Sequence, residues 1–189
     1  MSFEVIIEKL KKVSPISTES EAALLGIFKV FEYPKQHLFL REGQISDYIF
    51  FVKKGAVRLF YYKNDKEITE WIALNDTFFF SIASFYRREP SRILMQTLED
   101  SVLIAIPHDD FLRLSAKFHD IETLHRKLIT VSLLLSQDRM DSIQFESAQQ
   151  RYDKLITTRP EIIQRVPLMY IASFLGVTLE TLSRIRGNK

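Results

Sequence analysis

The sequence predicts an α+β chain, with helices at both ends of a β-sandwich or barrel-like roll and a pair of short helices at the C-terminus. Three observations carry this reading. Between Lys29 and Pro107 seven short strand-like segments alternate with turn signals. From about Asp120 to Phe145 apolar residues recur at helical spacing. From Pro167 to Lys189 two apolar-patterned stretches flank Gly176. The chain has 189 residues, 46% hydrophobic and 26% charged, enough to bury a core in one domain or two small ones.

Residues 3–12 predict an amphipathic helix with Phe3, Ile6, Ile7 and Leu10 on one face. Glu4 and Glu8 lie among its apolar residues, which argues against a signal peptide. No window holds the apolar run that a membrane helix needs, so a cytoplasmic protein without a membrane partner is expected. Pro15 interrupts this helix. Ser17 or Thr18 then caps a second one, with Glu19 and Glu21 in its first turn and Ala22, Leu24, Leu25 and Phe28 along it.

The strand candidates are Lys29–Tyr33, His37–Arg41, Tyr48–Lys53, Ala56–Lys63, Glu67–Leu74, Ile93–Thr97 and Ser101–Pro107. Pro34, Glu42-Gly43, Lys54-Gly55, Asn64-Asp65, Asn75-Asp76 and Glu99-Asp100 separate them. Nothing shows the βαβ alternation of a Rossmann unit.

Pro107-His108-Asp109-Asp110 reads as a helix start, with a short helix to about Lys117 and a longer one from about Asp120 to Phe145. On the longer helix Ile121, Leu124, Leu128, Val131 and Leu135 form a coiled-coil-like seam. Ile129, Leu133 and Leu134 lie outside the seam, so the helix is apolar around more than half its girth. One face is expected on the roll and the seam against a second copy, making a homodimer. Ser147 to Thr158 predicts a further helix, ended by Arg159-Pro160.

In PLMYIASFLGVTLETLSRIRGNK, Ile171, Leu175, Val177, Leu182 and Ile185 are the inward positions. Ala172 stands where crossing helices need a small side chain, Gly176 where the turn needs positive φ, and Thr178 at an N-cap. That layout is a helix-turn-helix. Charge distribution agrees. Residues 159–189 carry five basic and two acidic side chains, a net of +3, and the first 158 residues carry −1.

The chain resembles the cyclic-AMP receptor protein/fumarate-nitrate regulator (Crp/Fnr) family over nearly its whole length. REGQISDYIFFVKKGAVRLF, with Gly43 and Gly55 at turn positions, and IASFLGVTLETLSRIR carry the resemblance. It implies a cyclic-nucleotide-binding-like β-roll (a double-stranded jelly roll) with N-terminal helices over 1–118, a dimerisation helix over 119–145 and a helix-turn-helix domain over 146–189. It further implies a homodimer on double-stranded DNA with a pseudo-palindromic operator, control by a small-molecule effector, and contact with RNA polymerase. The family's Glu-Thr-x-x-Arg run falls on Glu180, Thr181 and Arg184. By that resemblance Arg184 reads guanine and Glu180 accepts from cytosine. Leu179, where the family often has arginine, meets a thymine methyl or nothing, Thr178, Thr181 and Ser183 are phosphate candidates, and Arg186 and Lys189 add attraction.

Two departures stand out. The family's nucleotide-binding members carry a Gly-Glu pair followed by Arg-Ser/Thr. Here Phe78, Phe79 and Phe80 occupy the first position's neighbourhood and Ser91-Arg92 reverses the second pair. A cyclic nucleotide is therefore disfavoured and no other cofactor is indicated. Phe78, Phe80, Arg87, Ser91 and Arg92 are the candidate effector residues, with Arg88 beside them. Second, the sequence stops three residues after Arg186, without the β-hairpin wing often found in the family. The recognition helix and its flanks are expected to supply more of the affinity.

With no cysteine, thiolate catalysis and cysteine-ligated metals are excluded. G-x-S-x-G, the P-loop and H-E-x-x-H are absent, so an enzyme is not expected. His119, Glu122 and His125 spread over too wide a helical arc for one metal, and no metal site is expected. The competing reading is a ligand-binding β-roll module without sequence-specific DNA binding. The last 40 residues weigh against it, because such a module has no use for them.

Overall fold

The computed structural model describes residues 3–187. Helices α1 (Glu4–Val13) and α2 (Thr18–Ile27) precede eight strands, β1 (Lys29–Tyr33), β2 (Leu38–Leu40), β3 (Tyr48–Lys54), β4 (Val57–Lys63), β5 (Lys66–Ala73), β6 (Phe78–Phe79), β7 (Leu94–Thr97) and β8 (Ser101–Pro107). Helix α3 (Ile82–Arg87) lies between β6 and β7. Then follow α4 (His108–Lys117), α5 (His119–Phe145), α6 (Ala148–Thr158), α7 (Ile162–Arg165), α8 (Leu168–Leu175) and α9 (Leu179–Gly187). The architecture is α+β. Among these, β6, α3 and α7 were not anticipated from the sequence. No single described helix is long and apolar enough to cross a membrane.

The strands form two antiparallel four-stranded sheets, ordered β1-β8-β3-β6 and β2-β7-β4-β5. The first is buried on both faces. Phe50, Val52, Leu103 and Ala105 point between the sheets, whereas Ile49, Phe51, Ile104 and Ile106 point out under α1, α2, α4 and α5. This explains why IFFV and VLIAI read as continuous apolar runs and not as alternation. The β4–β5 hairpin closes on Asn64 and Asp65, both at positive φ (51° and 58°), the geometry whose twist suits a two-residue turn. At the β3–β4 corner Gly55 has φ +116°, and a Cβ there would lie 2.7 Å from the Ser101 Cα, so no side chain fits.

A third cluster joins the roll to the C-terminal helices. Ala56, Ile72, Leu74 and Leu98 from the roll pack with Tyr152, Leu155, Ile162, Val166, Ile171 and Leu175. The boundary expected at residue 145 is thus crossed by a shared core.

Asp120 ties the start of α5 to α2. Its carboxylate accepts from the Ser17 amide at 2.7 Å, the Ser20 hydroxyl at 2.6 Å and the Ile121 amide at 2.9 Å. The Ser17 amide, then the Ser20 hydroxyl, hold its pKa down to about 2. A depressed carboxylate pKa gives stability that is complete above its ordinary value and lost as pH falls through the folded one. Asp120→Asn should therefore cost roughly 1 kcal/mol at pH 7, after allowance for water around the group. That difference should vanish between pH 4 and pH 2 in urea unfolding of the two proteins.

Candidate functional site

Helices α8 and α9 meet at 98° across a turn at Gly176, whose φ is +70°. The Gly176 and Val177 amides donate to Ser173 and Ala172 carbonyls, closing α8 with a left-handed residue that glycine adopts without a Cβ penalty. Ile171, Ala172, Phe174 and Leu175 of α8 and Leu182 and Ile185 of α9 are buried. Leu179, Glu180, Ser183, Arg184 and Arg186 face water, and Thr181 is half-buried. The Thr178 hydroxyl accepts from the Thr181 amide at 3.1 Å and bonds its hydroxyl at 3.0 Å, so it caps α9 and is already engaged. Among the described residues no ion pair joins Glu180 to Arg184, which leaves both free. Lys189 lies outside the described residues.

Arginines hold this helix pair to the roll. Arg165 donates to the Gly55 carbonyl at 2.8 Å and to Asn75 at 3.0 Å, and pairs with Glu99. Arg159 donates to the Ile72 carbonyl, Arg151 to the Leu175 carbonyl and Arg139 to the Phe174 carbonyl, each at 2.8 Å. The basic excess counted over residues 159–189 is thereby divided: among the described residues Arg159 and Arg165 bind backbone, and Arg184 and Arg186 stay free to face an anion. On the other side Arg58, 2% exposed, sits between the rings of Phe60 and Tyr170 at 3.9 and 3.8 Å. It also pairs with Glu67 at 2.6 Å and with Gln96. The Thr69 amide donates to Ser173 Oγ at 2.8 Å, stitching α8 along β5.

A cavity of about 970 Å³ opens between the roll, α3 and α5. Phe78, Phe80, Arg87, Ser91 and Arg92 all line it. Phe80 packs edge-on against Phe85 and Tyr86. The Ser91 hydroxyl meets Ser81 Oγ at 2.9 Å and both backbone groups of Ile93, so it fixes its loop. Arg88 turns away to Asp47 and the Ser46 carbonyl. The lining also includes Glu70, Trp71, Ser132, Leu135, Ser136 and Arg139. Glu70 and Trp71 come from β5, just before the phenylalanine run, whereas Ser132, Leu135, Ser136 and Arg139 come from α5, far along the chain, and no local motif marks any of them. Burial among the walls raises the Glu70 pKa, opposed by Arg139 and Arg92. Burial pushes the Tyr86 phenol up to about 12, and its hydroxyl meets His125 Nε2 at 2.9 Å.

Helix α5 buries the first part of the expected pairing seam and exposes the rest. Ile121 and Leu124 are 0% exposed inside the cluster under α1 and α4, and Leu128 packs against it. Their apolar surface is used within the chain, leaving none for a partner. Val131 and Leu135 are exposed, and Leu135 borders the cavity. The bare stripe instead runs through Ile129, Leu133, Met140 and Ile143, with Ser136 between. It has the same heptad spacing, rotated by roughly 150° about the helix.

Residues 30–118 match the cyclic nucleotide-binding domain family. The sequence matches no curated protein. Among solved structures, the chain is similar to the catabolite activator protein of Thermus thermophilus, with 20% identity, TM-score 0.59, and coverage of 95% of this chain and 85% of that one. It is similar to FixK2 from Bradyrhizobium japonicum, with 19% identity, TM-score 0.68, and coverage of 86% and 84%. A protein of Eubacterium rectale assigned to the Crp/Fnr family of transcriptional regulators gives 15% identity, TM-score 0.69, and coverage of 90% and 82%. At these identities the likeness is one of fold.

The Thr178 cap gives a direct test of how α9 is held. Thr178→Ala should lower stability by about 1 kcal/mol in urea unfolding, and Thr178→Ser should restore most of it.

Proposed function

We propose that this chain, Crp/Fnr-like in sequence and fold, is a DNA-binding transcriptional regulator that acts as a homodimer and is controlled by a small molecule in its roll cavity. One observation carries the reading. The inward row of α9 is locked into a core while its outward row, Leu179, Glu180, Ser183 and Arg184, has no partner among the described residues. A crossing of 98° over a tight turn is the geometry in which a second helix enters the major groove.

In this reading Arg184 donates two bonds to guanine N7 and O6, and Glu180 accepts from a cytosine amino group. Leu179, 47% exposed, meets a thymine methyl. Thr181, Ser183 and Arg186 meet phosphates. Thr178 contributes mainly through its cap. Pairing uses the Ile129, Leu133, Met140 and Ile143 stripe, and it sets two α9 helices one DNA turn apart, about 34 Å. The role is regulatory and invokes no catalytic step.

Arg184→Ala should weaken operator binding by about 1–3 kcal/mol, relax the preference at one guanine and leave the unfolding midpoint unchanged. Fluorescence anisotropy at fixed salt on a selected operator checks this, and wild-type affinity for the variant would remove Arg184 from the reading role.

Leu133→Asp places a charge in the bare stripe, and by sedimentation at micromolar concentration it should run as a monomer where the wild type runs as a dimer. A monomeric wild type would overturn the pairing.

A further inference from the structure

We propose that the roll cavity takes an amphipathic organic monoanion, a carboxylate on an aromatic or acyl body, and that Arg139 passes its presence to the C-terminal helix pair. The inference rests on the sensor reading of the cavity above and not on the reading of α9.

The charges of the lining set the class. Arg87, Arg92 and Arg139 face Glu70 and Glu89 across the cavity, three guanidiniums against two carboxylates. Among the described residues none of these five has an ion-pair partner, although both Arg139 and Arg92 act on Glu70. The surplus is one positive charge, which matches one negative charge in the occupant and disfavours a dianion. The remaining surface is aromatic. Phe78, Phe79, Phe80 and Trp71 offer rings to an apolar body. Ile82 and Leu135, each 45% exposed, leave the mouth apolar as well.

Arg139 is shared between two places. From α5 it reaches the cavity. Its Nη2 donates to the Phe174 carbonyl, in the last turn of α8, and its guanidinium lies 4.1 Å from the centre of the Phe174 ring. Trp71 spans the same two places, lining the cavity and meeting Phe174 edge-on at 6.2 Å. A guanidinium carries five donors in a fixed plane. One is used by Phe174, and an anion taking others orders the same plane. The occupied cavity therefore holds α8 more firmly against β5, and the two events are linked through one side chain.

Trp71 is the only tryptophan in the chain, so its emission reports the cavity without a label. The purified full chain is titrated, without DNA, with 4-phenylbutyrate, with octanoate, with the neutral amides of both, and with cyclic AMP. The expected result is a saturable change for the carboxylates and at least tenfold weaker binding of the amides. Arg139→Gln should weaken the carboxylates by about tenfold or more, and Arg92→Gln, which disturbs no contact with α8, should do the same if the first variant fails to fold. In hydrogen exchange, saturating 4-phenylbutyrate should slow the amides of Phe174 to Val177 in the wild type and leave them unchanged in Arg139→Gln. Equal binding of acid and amide, no saturable response at millimolar concentration, or tighter binding of cyclic AMP than of either carboxylate would overturn the ligand class. Unchanged exchange at saturation would overturn the link through Arg139. A protein that passes these tests yet prefers no DNA sequence would fail only as a DNA reader.

Discussion

The docking of α8 on β5 is the contact on which the rest of the structure depends. Its centre is the Arg58 guanidinium, buried between the rings of Phe60 and Tyr170 and paired with Glu67. A buried charge needs partners: here two π faces, a carboxylate and an amide surround the guanidinium and engage Nε and Nη2, while Nη1 is left without a hydrogen bond. Removing either ring would leave a desolvated cation against a half-empty pocket. The helix pair therefore does not hang from α5 as a separate body. It completes a core that the roll begins with Ile72 and Leu74.

Around that centre, arginine acts as a connector more than as a surface charge. Arg139, Arg151, Arg159 and Arg165 each donate to a backbone carbonyl, all four at 2.8 Å. Helix C-termini leave carbonyls without intrahelical partners, and a cation there is doubly favoured by the bond and by the helix dipole. Phe174 and Leu175 close α8, and Arg139 and Arg151 cover both of them. This use of charge inside the chain explains how a basic C-terminal segment presents few free cations on its outer row.

Helix α5 has different neighbours along its length. Its first turns are core beneath α1 and α4, its middle is the wall of the cavity, and its last turns reach the α8–α9 turn, where Ile143 stands 3.4 Å from the position of a Cβ on Gly176. One rigid rod thus touches every part of the chain named in the proposed mechanism. These contacts leave Ile129, Leu133 and Met140 exposed along it, together with Val131, Leu134 and Leu135.

Much of this was legible in the sequence. Seven of the eight strands, the helix borders at Val13, Lys117 and Phe145, the Ser17 cap and the left-handed Gly176 follow from turn residues, caps and periodicity, which are local properties. The inward and outward rows of α9 follow likewise, and so does the gathering of Phe78, Phe80, Ser91 and Arg92, since they lie within one short stretch of chain, residues 78–92. Tertiary structure decided what local pattern leaves open. The two-residue β6 gains its strand character only by pairing with β3. The apolar girth of α5 is wide enough for two seams, and packing against α1 and α4 took up Ile121, Leu124 and Leu128 of the one that the heptad count favoured, leaving Val131 and Leu135 exposed. Arg58, Arg139 and Glu70 read as ordinary charged residues in their own segments. Their roles exist only because β5, α5 and α8 meet in space, and a sequence records the spacing along a chain, not the distances across it.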